Sequence, residues 1–415
     1  MNGADNDPWQ ANAGLAASAP APVPPLEVVE FVAPETATAP PPPITTSISP
    51  PGPGLPEAVG WTAMVLSVQV VAMVAIMLVA AICIAVTHQG RVPAELIQIE
   101  NLGPDWFAAL SGLPGFLGYL VLIPLACWRI SPQPLRKLNF SRPSMTQALI
   151  VTSCVLPLGT LSDLVYSVVL PVWEQFLEQI PVLQGLRGAG LDQAMSQMNG
   201  AALPLLLFFL SVVPAVGEEW MLRGLIGRGL VARWGIAGGV IWTSILFAVM
   251  HLDPPHVAAV FPIGIMLHVV YLTTRSFWMP ILYHFLNNAT VSVFTTLGAA
   301  EPGTADDGTS WLAYAAVPYL CVAVALLWKL RTRYVAADGR EARRDYFSFE
   351  HYPEEEARRV APNHLLIAGL YGLLLVAQIG LLAKDLIEIQ REQSQPAEQA
   401  EPEPVAARIL PGTRI

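Results

Sequence analysis

The chain has 415 residues, 53% hydrophobic and 13% charged, with a mean hydropathy of +0.50 and a net charge of −10. Soluble domains carry about 25% charged residues, so this balance excludes an ordinary soluble protein and indicates an integral membrane protein. The net charge is concentrated in the tails and two loops and says little about nucleic acid, and with no basic stripe to bind it none is expected as a partner.

Residues 1–60 hold 14 of the 38 prolines and no Lys or Arg, so the basic region of a secretory signal is missing. Such a stretch buries too little apolar surface to fold, and we expect a disordered or polyproline tether. Nine later runs are long enough to cross roughly 30 Å of hydrocarbon. They lie near 61–87, 106–128, 145–171, 201–230, 236–251, 257–273, 277–297, 311–328 and 364–383. The weakest are 145–171, with Pro157 and Asp163, and the short pair 236–251 and 257–273, so eight spans is the alternative count.

The predicted fold is therefore an all-α, polytopic transmembrane bundle of eight or nine spans with disordered tails. Its parts are a tether over 1–60, N-terminal helices over 61–197, a polar-bearing core over 198–297, C-terminal helices over 298–384 and a polar tail over 385–415. Segments 129–144, 217–235, 274–276 and 329–363 hold 16 of the 22 basic residues, and all four fall on one side of a nine-span chain. The opposite loops hold two. The basic side is expected to be cytoplasmic. Cys83, Cys127, Cys154 and Cys321 all lie in apolar runs and read as small core residues, without disulfides.

Glu218 and Glu219 end an apolar run whose only polar side chain from Ala201 to Val216 is Ser211. An acidic residue at membrane depth costs about 2.5–3.5 kcal/mol, so an adjacent pair points to chemistry. Glu219 and Arg223 stand at i, i+4 and can form an ion pair, while Glu218, turned by about 100°, faces elsewhere. A reversal near Arg233-Trp234-Gly235 makes an antiparallel hairpin that brings His251 toward Glu218, at depths of roughly 27 and 22 Å. His284 lies only roughly 13 Å past its own turn, so aligning it requires a tilted helix or a hairpin that protrudes.

Two imidazoles and a carboxylate at one level can hold a divalent metal such as zinc, through His251 and His284, or polarise water directly. Burial suits a glutamate to the role of general base, and Asn288, one turn from His284, is placed to donate to an oxyanion. Phe247 reads as packing for the His251 face, and His256 as a loop residue. No HExxH, GxGD or GxSG setting is present.

At these residues the sequence resembles the CAAX protease and bacteriocin-processing (CPBP, or Abi) family of intramembrane endopeptidases, the type II CAAX prenyl endopeptidases. EExxxR matches Glu218, Glu219 and Arg223; FxxxH matches Phe247 and His251; HxxxN matches His284 and Asn288. One departure is His268, which stands where the family's FxxGxxxG stretch, begun here by Phe261 and Gly264, places a small residue. The resemblance implies a catalytic core over 198–297 and a polar cavity open toward the cytoplasm. It implies that Glu218 activates water with help from His251, that His284 and Asn288 stabilise the oxyanion, and that Glu219 and Arg223 support them. Both metal-dependent and metal-free chemistry remain open on this reading. Substrates would be membrane proteins or peptides, CAAX-type and prenylated ones among them. A non-catalytic scaffold or immunity-type protein and an ion-coupled transporter are the rival readings. Neither the oligomeric state nor the metal follows from the residues.

Overall fold

In the computed structural model, residues 52–87, 103–186, 190–297, 310–336, 339, 341 and 357–394 are described. The expected disorder of 1–51 and 395–415 falls outside them. Helices Leu55–Thr87 (α1) and Pro104–Ile130 (α2) run antiparallel, because Glu57 at the start of α1 accepts both Nε and Nη2 of Arg129 at the end of α2, at 2.7 and 3.0 Å. Only Ala58, Thr62 and Val65 of α1 are buried, as suits an apolar helix with lipid around it.

The expected tether stops short of its predicted end at residue 60. Gly52 and Pro53 are buried, and their carbonyls accept Arg233 Nη1 at 2.8 and 2.9 Å. Their backbone lies so close to Gly229 that a Cβ there has no room. Arg233→Ala, or truncation through Gly54, should therefore lower unfolding stability by about 1 kcal/mol or more, while truncation through residue 50 should not. Thermal unfolding of the three variants in detergent checks this, and equal melting for all would refute it.

The third predicted span is Met145–Ser153 (α4) and Val155–Gln179 (α5), which follow the short helix Pro134–Leu138 (α3). A capping box of Ser144 and Gln147 starts α4. Pro157 brings no N–H to the Ser153 carbonyl four residues back, and Gln378 Nε2 donates to it instead at 3.0 Å. Pro181–Leu186 is a 3₁₀ turn, and Leu191–Met198 is α6.

The helix bearing the glutamates is built in pieces: Leu203–Leu206 (α7), a π segment Leu207–Val212, Val213–Glu219 (α8), a π segment Trp220–Ile226, and Gly227–Val249 (α9). Helix α9 is broken at Gly235, whose φ of 69° and ψ of −178° suit glycine. The backbone of Val231 then lies against Gly239, so the chain folds back here as the sequence predicted. Pro254–Thr274 (α10), Trp278–Thr296 (α11), Ser310–Lys329 (α12) and Leu365–Ser394 (α13) complete the bundle. Six helices, Leu203–Val249 counted as one, are long and apolar enough to cross a membrane by length and composition. With the two arms of Leu203–Val249 separated and α11 and α12 added, the described residues have helix at each of the nine predicted runs.

Three corrections follow. Helix α13 takes in the first ten residues of the expected polar tail, 385–394, and loop 329–363 contains strands Arg333–Ala336 (β1) and Ala357–Val360 (β2), paired antiparallel. All four cysteines are free, but Cys83 and Cys321 are on the exposed surface rather than in the core.

The four basic segments meet at one end. Phe277 N–H donates to Asn139 O, Asn139 Nδ2 to Arg275 O, Arg228 Nη1 to Lys137 O and Arg359 Nη2 to Thr274 O. Gln147 Nε2 ties the same end to α10 and α12 through Thr273 O and Leu330 O.

Candidate active site

Glu219 is fully buried and its Oε1 accepts Arg223 Nη1 at 2.9 Å, the i, i+4 pair read from the sequence. Arg223 Nη2 donates to Gly264 O at 2.8 Å, and its guanidinium lies 4.8 Å over the Phe247 ring. One buried cation thus joins three helical segments.

The same Glu219 oxygen meets His284 Nδ1 at 2.9 Å. An ionised carboxylate only accepts, so Nδ1 is the donor, and in the neutral imidazole Nε2 then carries the lone pair. That nitrogen faces Glu218 Oε2 at 3.9 Å. Glu218 Oε2 is buried without a hydrogen-bond donor, yet Glu218 is the most accessible of the four, with 14% of its side chain exposed against 0% for Glu219 and Arg223 and 4% for His284. Glu219 is held by Arg223 and His284, while Glu218 keeps an oxygen with no donor.

The depth mismatch of His284 resolves through the protruding hairpin. Phe277, in the turn before α11, packs at 5.7 Å against Trp220, so the residues after Trp220 extend past that turn. His284, six residues into its helix, therefore meets Glu219.

Asn288 is engaged elsewhere than expected. Pro214 brings no N–H to Leu210 O four residues before it, and Asn288 Nδ2 donates to that carbonyl at 2.9 Å. This is helix repair within the π segment, and it uses one of the two amide hydrogens expected for an oxyanion. His268 is fully buried, and its ring fills the space over Gly227 where a Cβ would collide. The departure from the small-residue pattern is thus matched by a glycine on the facing helix.

His251 stands one ring further out. Its Nδ1 faces Phe247 O at 3.1 Å, and Phe247 packs edge-on against both His251 and His284, at 5.1 and 5.9 Å. Phe247, read as simple packing, is the hub between Arg223 and the two imidazoles. His256, read as a loop residue, lies 4.6 Å from the His251 ring. The signal for it was Asp253-Pro254-Pro255, because proline in a first turn starts a helix, here α10, and fixes the next residue. Asp253 faces the backbone of His256 and Leu191, and burial holds its carboxyl above the usual carboxylate range.

Residues 200–290 match the family model described as type II CAAX prenyl endopeptidase Rce1-like. This stretch is similar to an Rce1-like domain. It holds all six candidate residues and both π segments. The chain is 27% identical over 122 residues to the membrane-embedded CAAX protease MroQ of Staphylococcus aureus (strain USA300), covering 28% of this chain and 49% of that protein. It is 26% identical over 92 residues to the putative membrane peptidase YdiL of Bacillus subtilis (strain 168), covering 22% and 38%. The chain thus spans about half the length, or less, of these curated relatives. No solved structure matches it. With its apolar helices, the Rce1-like domain belongs to an integral membrane protein.

The donor set fits a metal poorly. Among the described residues no three His, Cys, Asp or Glu side chains converge as ligands, and the Phe247 ring packs against both His251 and His284.

Proposed function

We propose that the protein is an intramembrane endopeptidase that hydrolyses peptide bonds of membrane-associated proteins or peptides. The observation that carries this reading is the buried chain Arg223–Glu219–His284–Glu218 inside an Rce1-like domain. Glu219, neutralised by Arg223, fixes the His284 tautomer and orientation. Glu218 is then the base that takes the proton from an attacking water, with the His284 Nε2 lone pair beside it to share that proton. This places His284 next to the base rather than on the oxyanion, which is left to the second Asn288 amide hydrogen. On this reading His251, packed on Phe247, assists Glu218 in activating that water. Prenylated CAAX-type substrates fit the family description.

A scaffold reading is favoured by one observation, that Arg223, His284 and Asn288 all hold helices together. The membrane proteomes of cells with the wild-type protein and with Glu218→Gln separate the two. A protease leaves uncut substrates in the variant, whereas a scaffold leaves the proteomes alike.

We also propose that the basic end is cytoplasmic and that the site opens to that side. Single cysteines at positions 305 and 358 should label from opposite faces of sealed vesicles. Labelling of both from one face overturns the span arrangement.

A further inference from the structure

The β1–β2 hairpin lies outside the Rce1-like domain and has two unlike faces. Its register pairs Arg333 with Val360, Tyr334 with Arg359 and Val335 with Arg358. Side chains alternate across a strand, so Tyr334 and Arg359 share one face and Arg333, Val335, Arg358 and Val360 share the other. The first face is docked on the bundle: Tyr334 OH accepts Asn139 Nδ2 at 3.0 Å, Arg275 lies 5.9 Å over its ring, and Arg359 reaches Thr274 O. Arg333, Arg358 and Val360 on the second face are exposed. Arg331 is neutralised by Glu341 at 3.0 Å, whereas Arg333 and Arg358 make no ion pair among the described residues.

The hairpin sits at membrane-surface level. Exposed Trp128 near the end of α2, Trp278 at the start of α11 and Trp328 near the end of α12 ring the same end of the bundle. Indoles at helix ends mark the boundary between headgroups and hydrocarbon. A face of two arginines on a sheet diagonal, roughly 7–8 Å apart, flanked by two valines, matches phosphate above and apolar chain below.

We propose that this outer face binds the headgroups of anionic phospholipids. Guanidinium forks hold lipid phosphates while Val335 and Val360 rest on the glycerol and upper acyl region. The proposal needs only an integral membrane protein and stands whether or not the chain is a peptidase. The competing occupant is the chain's own acidic run Glu354-Glu355-Glu356, just before β2.

The test uses the full chain in nanodiscs of phosphatidylcholine with or without 30% phosphatidylglycerol, with lipid retention read by native mass spectrometry. Phosphatidylglycerol should be retained preferentially, and the preference should fall about fivefold for each of Arg333→Gln and Arg358→Gln. A charge-matched control, Lys384→Gln with Arg391→Gln on α13, should keep it, and inorganic phosphate should not compete. Equal retention by wild type and the Arg333→Gln/Arg358→Gln protein overturns the proposal. So does a preference that emerges only when Glu354, Glu355 and Glu356 become Gln, because the acidic run would then be the occupant.

Discussion

Glu218→Gln should yield a protein that inserts and melts like the wild type but cleaves at least 10²–10⁴-fold more slowly, the loss typical of a missing general base. The folding half rests on what Glu218 touches. Its Oε2 accepts no hydrogen bond, and it faces His284 Nε2 at 3.9 Å, which carries a lone pair in the neutral ring whose Nδ1 donates to Glu219. A glutamine keeps the volume and can donate its amide to that nitrogen, so the packing survives. The activity half rests on a Gln amide's inability to accept a proton from water. Cleavage by reconstituted protein of a substrate found in the proteome comparison is the measurement. A near-normal rate for the variant removes the glutamate mechanism. If that rate also falls on treatment with a chelator, the metal alternative returns despite the poor ligand geometry.

Much of this site was legible because its logic is local. Glutamate four residues before arginine is a helix pair, and its burial follows from the apolar run around it. The reversal at Gly235 was readable from Arg-Trp-Gly between two apolar runs, and the structure has that glycine at positive φ. Less legible were features set by contacts between distant segments. The level of His284 depends on how far the hairpin passes the Phe277 turn, which no spacing within α11 encodes. Asn288 looked like an oxyanion donor because only its distance from His284 was read; the proline at 214 and the carbonyl it leaves at Leu210 lie on another helix. Gly229 was an anonymous glycine until the Gly52–Pro53 backbone was seen to lie on it. Proline was the underused signal. At 157, 214 and 254 it marks a carbonyl needing an outside donor or a helix start, and two of the three lead to polar residues the sequence had singled out.

Arg223→Ala should damage the fold rather than the chemistry alone. The guanidinium is fully buried and serves Glu219, Gly264 O and the Phe247 face together. Removing it leaves a buried carboxylate unpaired, a change that costs about 3–5 kcal/mol, and frees a carbonyl of α10 as well. Expression and detergent melting temperature should both fall, and activity should fall with them. Arg223→Lys keeps the charge, but a single ammonium cannot reproduce the planar fork that spans Glu219 and Gly264, so it should be intermediate. The decisive comparison is Arg223→Met with Glu219→Gln. Removing both charges from an apolar site relieves the unpaired carboxylate, so the double variant should melt above Arg223→Met alone while remaining inactive, because His284 loses the carboxylate that holds it. A double variant no more stable than Arg223→Met would mean that the ion pair is not what Arg223 contributes, and Arg223→Ala melting like the wild type would mean that the buried pair carries no stability at all.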